Sequence, residues 1–190
     1  KRKITNMKGI ILLANHFEDV EALITIDMLR RAKITIDLVS ITGEKLLTTQ
    51  SNIKLFADYL LEEVNYNDYD FLVIPGGKAV FETHLKSEIT KKIVNDFNDK
   101  NKLIATICAA PSILGSMGLF KDLEYVCFPG CDDIVVDAKY VNKNVVVTKN
   151  YISSKAAGTT FDFAYEIIKY LIGEEEAKRV LSNVYYIGNN

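Results

Sequence analysis

The feature that most constrains the fold is an alternation of short apolar runs with longer amphipathic stretches. The run KGIILLA (8–14) is continuously apolar, as expected for a strand that is buried on both faces. The next segment, 18–32, has apolar residues near helical spacing, with acids first and arginines last, as the helix dipole favours. Strands separated by helices form right-handed crossovers. This order therefore predicts an α/β protein with a mostly parallel sheet that is covered on both faces.

The same patterns predict the remaining elements and the domain limits. No internal repeat or linker interrupts them, so we predict one domain over 7–190, with residues 1–6 as a flexible tail or a production remnant. Ser87 and Thr159 are the expected N-caps of two helices. Helices are predicted at 18–32, 87–100, 110–118, 158–173 and 174–184. Strands are predicted at 8–14, 35–41, 53–59, 69–77, 102–107, 124–128, 139–143 and 144–148, the last two as a hairpin that turns at 142–144.

Composition narrows the class of protein. The chain has 190 residues, 48% hydrophobic and 25% charged, and a net charge of −2, which is typical of a soluble globular protein. The absence of a basic patch argues against nucleic-acid and membrane-surface partners, and neither a membrane-spanning run nor a signal peptide is visible. Three cysteines without a signal sequence favour the cytoplasm. Cys127 and Cys131 have the spacing of half a metal site, but two histidines in the whole chain argue against structural zinc.

The first candidate site residue is Cys108. The predicted strand 102–107 runs directly into it, and Ala109 and Ala110 lead on into a helix, a pattern that resembles a nucleophile elbow. The sulfur would then lie near a helix N-terminus, which favours thiolate over thiol. A buried, inert cysteine explains the same spacing equally well.

A second strand end carries the turn PGGKAV (75–80). It lacks both GxGxxG and the Gly-Lys-Ser/Thr ending of a phosphate loop, so nucleotide binding is only weakly indicated. The backbone N–H groups of Gly76 and Gly77 could donate to an oxyanion. A tight strand-to-helix turn is an equally good explanation of the two glycines.

A third strand end leads into the acids of segment 14–23. Glu18 and Asp19 are explained as solvated partners of the helix dipole, whereas Glu21 lies at a position that faces partly inward. A half-buried carboxyl near a thiolate would have a raised pKa and could exchange a proton with it. A helix-surface acid is the simpler explanation of Glu21 from the sequence alone.

These segments together resemble the ThiJ/PfpI superfamily, in the branch of the human parkinsonism-associated deglycase. The resemblance implies a flavodoxin-like three-layer sandwich, usually a homodimer. It also implies that Cys108 is the reactive cysteine, that Glu21 bonds its sulfur, and that the N–H groups of Gly76 and Ala109 form an oxyanion pocket. The matching segments are FEDVEALITIDMLRRA (17–32), YDFLVIPGG (69–77), IATICAAPSIL (104–114), VCFPGCDD (126–133) and AAGTTFDFAYEII (156–168).

The resemblance implies two kinds of function. Relatives in this branch are similar to cofactor-independent glyoxalases, which convert methylglyoxal into lactate, and to protein deglycases. We therefore expect a small 2-oxoaldehyde as substrate and no cofactor. The alternative is a redox-sensing stress protein or chaperone, whose cysteine is oxidised to a sulfinic acid.

The chain also departs from the family pattern. Ala109 stands where protease-like members carry a histidine, which weakens an intracellular protease or amidase interpretation. Phe128 stands where close relatives often carry histidine or tyrosine, and His16 is a candidate substitute relay, although a bystander role is the simpler one. The stretch 148–160 is longer than the usual connection and is predicted to be an exposed loop, with Tyr151 or Lys155 as candidate ligand contacts. Cys127 is expected to face the core.

Overall fold

The computed structural model describes residues 6–188, and most of the predicted tail, residues 1–5, lies outside them together with residues 189–190. Within the described residues the predicted alternation of strands and helices is confirmed. The helices are α1 (Asp19–Arg31), α2 (Ala79–Glu82), α3 (Glu88–Asp99), α4 (Pro111–Ser116), α5 (Thr160–Ile172) and α6 (Glu174–Asn183). The strands are β1 (Lys8–Leu13), β2 (Thr35–Ser40), β3 (Leu46–Thr48), β4 (Lys54–Phe56), β5 (Tyr59–Leu60), β6 (Phe71–Ile74), β7 (Leu103–Ile107), β8 (Glu124–Tyr125), β9 (Lys139–Tyr140), β10 (Val145–Thr148) and β11 (Tyr151–Ser154).

One central sheet organises the fold. Its strand order is β10-β11-β7-β6-β1-β2-β5, and every neighbouring pair is parallel except the β10–β11 hairpin. The predicted mostly parallel sheet is confirmed. Because β1, β6 and β7 are adjacent and parallel, their carboxyl ends meet at one edge of the sheet, where ligands of such folds bind.

The sheet separates two apolar cores, and side chains of β1 alternate between them. Ile11 and Leu13 pack with α1, α5 and α6, whereas Ile10 and Leu12 pack with α3 and α4 on the other face. This alternation follows from the two-residue period of a strand. It explains why β1 reads as a continuous apolar run.

Two predictions near the C-terminus are wrong. The predicted hairpin of 139–143 with 144–148 does not form, because β9 pairs in parallel with β8 and β10 pairs with β11. The predicted exposed loop contains β11, which is buried along its whole length. The predicted ligand contact Tyr151 is buried, and its hydroxyl donates to Asn98 Oδ1.

β11 was not predicted from the sequence because half of its residues are polar serines. Ser153 and Ser154 are buried, but both hydroxyls have partners. Ser153 Oγ accepts a hydrogen bond from the Val126 N–H at 3.1 Å, and Ser154 Oγ donates to the Asn144 carbonyl at 2.9 Å. Buried polar groups are tolerated when they are hydrogen-bonded in this way.

The predicted strand 53–59 is divided in the structure. Its first part is β4, which pairs with β3 in a separate hairpin, and its end leads into β5 at the edge of the main sheet. No helix between residues 6 and 188 has the length and apolar character needed to traverse a bilayer.

Candidate active site

Cys108 occupies a sharp bend between β7 and α4. Its φ is 64°, a conformation that non-glycine residues rarely adopt and that marks backbone strain. Hydrogen bonds on both sides hold the bend: the Cys108 N–H donates to the Ser154 carbonyl at 2.9 Å, and the Cys108 carbonyl accepts from the Phe128 N–H at 2.8 Å. The side chain is half-buried and packs against the core on the α1 face. The bend expected from the small residues after Cys108 is therefore present.

Glu21 projects from the first turn of α1 into this site and is fully buried. Glu18 is the N-cap of the helix, and its Oε2 accepts a hydrogen bond from the Glu21 N–H at 2.8 Å. The Glu21 side chain accepts a hydrogen bond from the Gly76 N–H at Oε1, also at 2.8 Å. Its other oxygen, Oε2, is buried and has no hydrogen-bond partner within residues 6–188.

Gly76 separates Glu21 from Cys108. A methyl group added to Gly76 would lie 2.7 Å from Glu21 Oε1 and 2.7 Å from Cys108 Cβ, distances that real side chains do not tolerate. Because Glu21 Oε1 and Cys108 Cβ both lie 2.7 Å from the position of this methyl group, the distance between the two atoms is at most twice that value. The structure therefore brings Cys108 and Glu21 together, and it requires glycine between them.

Burial dominates the electrostatics of this pair. It raises the pKa of Glu21 from 4.5 to about 7, with help from the nearby Glu18 charge and against the Gly76 hydrogen bond and the Cys108 thiol. Burial also raises the pKa of Cys108, and so do the charge and proximity of an ionised Glu21, whereas the Ala109 N–H lowers it. The direction for Cys108 is opposite to that expected from a helix N-terminus alone.

The two groups titrate as a coupled pair. The raising effects of Glu21 on the pKa of Cys108 apply only while Glu21 is ionised. When the carboxyl holds a proton, these effects disappear and the Ala109 N–H still favours the thiolate. Burial still raises the pKa of Cys108 in either state of Glu21, so the pair keeps a proton near neutral pH, and Cys108 holds it as a thiol beside a carboxyl that can accept it.

The two glycines after β6 have different surroundings. The Gly76 N–H, which the resemblance assigned to an oxyanion pocket, is occupied by Glu21 in this structure. Gly77 has a φ of 91°, and a methyl group there would lie 2.6 Å from both the Glu18 nitrogen and the His16 carbonyl oxygen. Gly77 thus allows the loop before α1 to pack closely on this turn. Its role as a substrate-binding donor stays a prediction.

The accessory candidates contact other groups. His16 Nδ1 pairs with Glu82 Oε2 at 2.6 Å, and within residues 6–188 no histidine bonds the Cys108 sulfur. The Phe128 side chain is exposed, and its contribution to the site is the backbone hydrogen bond to Cys108. Lys155 donates to Asn142 Oδ1. The structure thus gives no histidine base to support a peptidase interpretation.

Sequence reasoning missed the role of Asp19. It is buried rather than solvated, and it accepts hydrogen bonds from the hydroxyls of Thr49 and Ser51, both at 2.6 Å, and from the Ser51 N–H at 3.1 Å. These bonds tie the β3–β4 hairpin to the start of α1. The burial of Glu21 had one signal in the sequence, its partly inward position in the predicted helix.

The other two cysteines differ from each other. Cys127 is fully buried, as predicted, whereas Cys131 is half-buried. No group of three or more His, Cys, Asp and Glu side chains within the described residues is arranged to hold a metal ion.

The fold and the site together define an α/β protein with a half-buried cysteine at a strand-to-helix bend beside a buried acid. Comparison with known families agrees with this description. The sequence profile of the DJ-1/PfpI family matches residues 7–170, and the chain belongs to this family.

Individual relatives come from distant organisms. The chain is 34% identical to protein DJ-1alpha of Drosophila melanogaster over 175 residues, which cover 90% of this chain and 81% of the relative. It is 30% identical to the deglycase PfpI of Pyrococcus furiosus over 167 residues, which cover 87% of this chain and 99% of the relative. It spans only 38% of DJ-1 homolog B of Arabidopsis thaliana, at 30% identity over 88% of this chain.

Solved structures confirm the flavodoxin-like arrangement. The structure of oxidised DJ-1 from Toxoplasma gondii superimposes with a TM-score of 0.89 and 27% identity. The match covers 96% of this chain and all of that one. The family assignment and the fold expected from the sequence are thus confirmed.

Proposed function

We propose that the protein is a cofactor-independent glyoxalase or deglycase that acts on 2-oxoaldehydes such as methylglyoxal through Cys108. The observation that carries this proposal is the unpartnered Oε2 of Glu21, buried beside the thiol. An acid with a pKa of about 7 is matched to proton transfer near neutral pH. Deglycase relatives of similar length support the same assignment.

The first step joins the sulfur to the substrate. Cys108 attacks the aldehyde carbon, and the thiol proton passes to Glu21 Oε2. The aldehyde oxygen becomes an alkoxide, which the Ala109 N–H stabilises and which then takes the proton from Glu21. The product of this step is a neutral hemithioacetal.

The second step moves hydrogen between the two substrate carbons. Glu21, ionised again, removes the proton from the former aldehyde carbon and passes it to the ketone oxygen, so that an enediol forms. Glu21 then takes the proton of the hydroxyl on the sulfur-bearing carbon and delivers it to the neighbouring carbon, which gives a thioester of a 2-hydroxy acid. Water then hydrolyses the thioester, which releases lactate from methylglyoxal and restores the Cys108 thiol.

The test is lactate production by the pure protein from methylglyoxal. We expect Cys108→Ala to abolish production, because the proposed mechanism needs its sulfur as the nucleophile, whereas Cys127→Ala keeps it. The measurement is chiral analysis of lactate against time, with both variants checked for folding by circular dichroism. Production that survives in Cys108→Ala would contradict the proposal.

Redox sensing by the same cysteine is the second candidate function. It is favoured by the position of a half-buried Cys108 next to a carboxyl that can hold a hydrogen bond to an oxidised sulfur. The similar protein from Toxoplasma gondii has been solved in an oxidised form. Mild peroxide treatment followed by intact-mass measurement separates this function from catalysis.

We further propose that two copies of the chain associate through the outer face of the β3–β4 hairpin and α1. Leu46 and Phe56 face each other across the hairpin and are 44% and 71% exposed, and Val20 and Leu23 on α1 are exposed as well. The Asp19 contacts hold the two elements together. Several exposed apolar side chains on two linked elements are typical of an interface.

The oligomeric state can be measured by light scattering. We expect Phe56→Glu to yield monomers, because it introduces charge into the apolar contact. Val147→Glu, at the opposite edge of the sheet, is the matched control and should leave the dimer intact. A wild-type protein that is monomeric at micromolar concentration would rule out this interface.

A further inference from the structure

Cys131 is tied to the backbone of Cys108 through two consecutive hydrogen bonds. The Phe128 N–H donates to the Cys108 carbonyl at 2.8 Å, and the Cys131 N–H donates to the Phe128 carbonyl at 2.9 Å. The segment after β8 is therefore anchored directly to the bend that carries Cys108. Cys131 lies three residues beyond that anchor.

The sequence FPGC (128–131) explains why the chain turns back at this point. Pro129 occupies the second position of the turn, and Gly130 the third, with φ 89° and ψ −10°. These angles, together with the hydrogen bond from Cys131 to Phe128, define a type II β-turn. Such a turn keeps its first and last Cα atoms within about 7 Å, so Cys131 stays close to the anchor.

Cys131 packs only partly against the α3–α4 core, and burial together with the adjacent Asp132 and Asp133 charges raises the pKa of its thiol, so it reacts from the protonated form. Phe128, Pro129 and Gly130 are exposed, so the turn can adjust without losing buried surface. Cys131 itself is half-buried, whereas Cys127, four residues earlier, is fully enclosed in the core on the α3–α4 face. Cys131 is also close enough to Cys108 that its ionised form would raise the pKa of that thiol.

We propose that Cys131 is a resolving thiol, which forms a reversible disulfide with Cys108 after oxidation by hydrogen peroxide. The inference rests on the reactive Cys108 of the proposed function, and it adds a means of regulating that site. Cys131 supplies no group to the catalytic steps. Its role begins only when the Cys108 sulfur has been oxidised.

The chemistry has two steps. The Cys108 sulfur attacks one peroxide oxygen, the O–O bond breaks, and the products are a sulfenic acid and water, with the thiol proton carried by Glu21 to the departing hydroxide. The Cys131 sulfur then attacks the Cys108 sulfur, the S–O bond breaks, and hydroxide leaves with the Cys131 proton as a second water. The protein loses two hydrogens in total, and the peroxide is reduced.

The disulfide competes with further oxidation. A second peroxide molecule would convert the sulfenic acid to a sulfinic acid, which ordinary thiols do not reverse. Capture by Cys131 prevents that step and blocks the Cys108 sulfur only until a reductant is supplied. The site would then be switched off and on by the redox state of its surroundings.

Intact-mass measurement after graded hydrogen peroxide treatment and thiol blocking tests the proposal. In the wild-type protein we expect a loss of two hydrogens and a cross-link between tryptic peptides 103–121 and 122–139, both reversed by dithiothreitol. Cys131→Ser should form no cross-link and should gain two oxygens at Cys108 at a lower peroxide dose. Cys127→Ala, which lies in the same tryptic peptide as Cys131, should cross-link like the wild type.

Two outcomes would overturn the inference: sulfinic acid forming equally readily in wild type and Cys131→Ser, or a cross-link that is lost in Cys127→Ala. The lactate assay on reduced protein keeps this test separate from the proposed function. Cys131→Ser should retain wild-type activity when reduced. A cross-link without lactate production would refute the glyoxalase and leave the resolving thiol standing, whereas lactate production without a cross-link would do the reverse.

Discussion

Two buried acids in the first turn of α1 differ in how their charge is compensated. Asp19 faces the β3–β4 hairpin, and its carboxylate accepts three hydrogen bonds. Glu21 faces Cys108, and one of its two carboxyl oxygens has no hydrogen bond within residues 6–188. Two positions along one helix thus separate a carboxylate that holds structure together from one that is free to exchange a proton.

The pKa values of the two acids shift in opposite directions for a physical reason. Burial opposes ionisation of Asp19, but the hydrogen bonds from Ser51 and Thr49 outweigh it and lower the pKa. Burial of Glu21 and the nearby Glu18 charge outweigh the hydrogen bond from the Gly76 N–H and the contact with the Cys108 thiol, so the pKa rises to about 7. The comparison teaches that depth and donors act together: Asp19 is slightly exposed and receives three hydrogen bonds, whereas Glu21 is fully buried and receives one from a backbone N–H.

The largest expected effect of breaking this comparison is on activity. We expect Glu21→Gln to lower kcat for lactate formation by about 10² to 10⁴, because the amide cannot carry a proton between sulfur and substrate. Asp19→Asn should change kcat little, since Asp19 bonds the hairpin and not the reacting groups. Steady-state kinetics of the two variants measure the difference, and equal losses would show that both acids only support the fold.

For the free energy of unfolding at pH 7, we expect substitution of Asp19 to have the larger effect and substitution of Glu21 the smaller one. We expect Asp19→Ala to lower the free energy of unfolding by about 2 to 3 kcal/mol at pH 7, because the buried Thr49 hydroxyl loses its charged acceptor. The stabilising effect of Asp19 belongs to its ionised form, so it is present at neutral pH and is lost as the pH falls below the ordinary range of an aspartate. Urea unfolding at pH 7 and pH 3 checks both statements, with Ser51→Ala as a milder companion variant.

The smallest expected effect is a pH-dependent change in the free energy of unfolding caused by the Glu21 charge. Folding raises the pKa of Glu21 from 4.5 to about 7. The contribution of Glu21 to the free energy of unfolding is therefore fully present below pH 4.5 and is lost as the pH rises to about 7. We expect Glu21→Gln to increase the free energy of unfolding by about 1 to 3 kcal/mol at pH 8 and to leave it unchanged near pH 4. Urea unfolding of the two proteins at both pH values measures this, and a loss of stability at pH 8 would mean that the Glu21 charge is well compensated.

Elements of the fold could be predicted where neighbouring residues determine them, and not where they depend on partners distant in the chain. β1, β6 and β7 were found because strands buried on both faces consist of continuous apolar runs. β11 was missed because its serines find hydrogen-bond partners in Asn144 and Val126, which no local pattern shows. The wrong hairpin has the same origin, since the partner of β10 is chosen by the sheet and not by the turn between neighbouring strands.

The candidate site shows the same division. Cys108 and Gly76 were found from their positions at strand ends, and the close approach of Glu21 to both was expected only through the family resemblance. Asp19 was misjudged as solvated because its partners lie some thirty residues away, on a hairpin whose first strand was not predicted. The hydrogen bonds that connect Cys131 to Cys108 through Phe128 could not be predicted for the same reason, although the sequence FPGC (128–131) is typical of the turn that contains Cys131.

The sequence by itself determined the alternation of strands and helices, the glycine after β6 and the cysteine after β7, because apolar period and turn chemistry are local properties. Only the tertiary structure decided that Glu21 is enclosed with one free oxygen while Asp19 is fully bonded. Both the solvent and the donors that a carboxyl meets are set by segments distant in the chain. Those distant contacts fix the proton affinity on which the proposed chemistry depends.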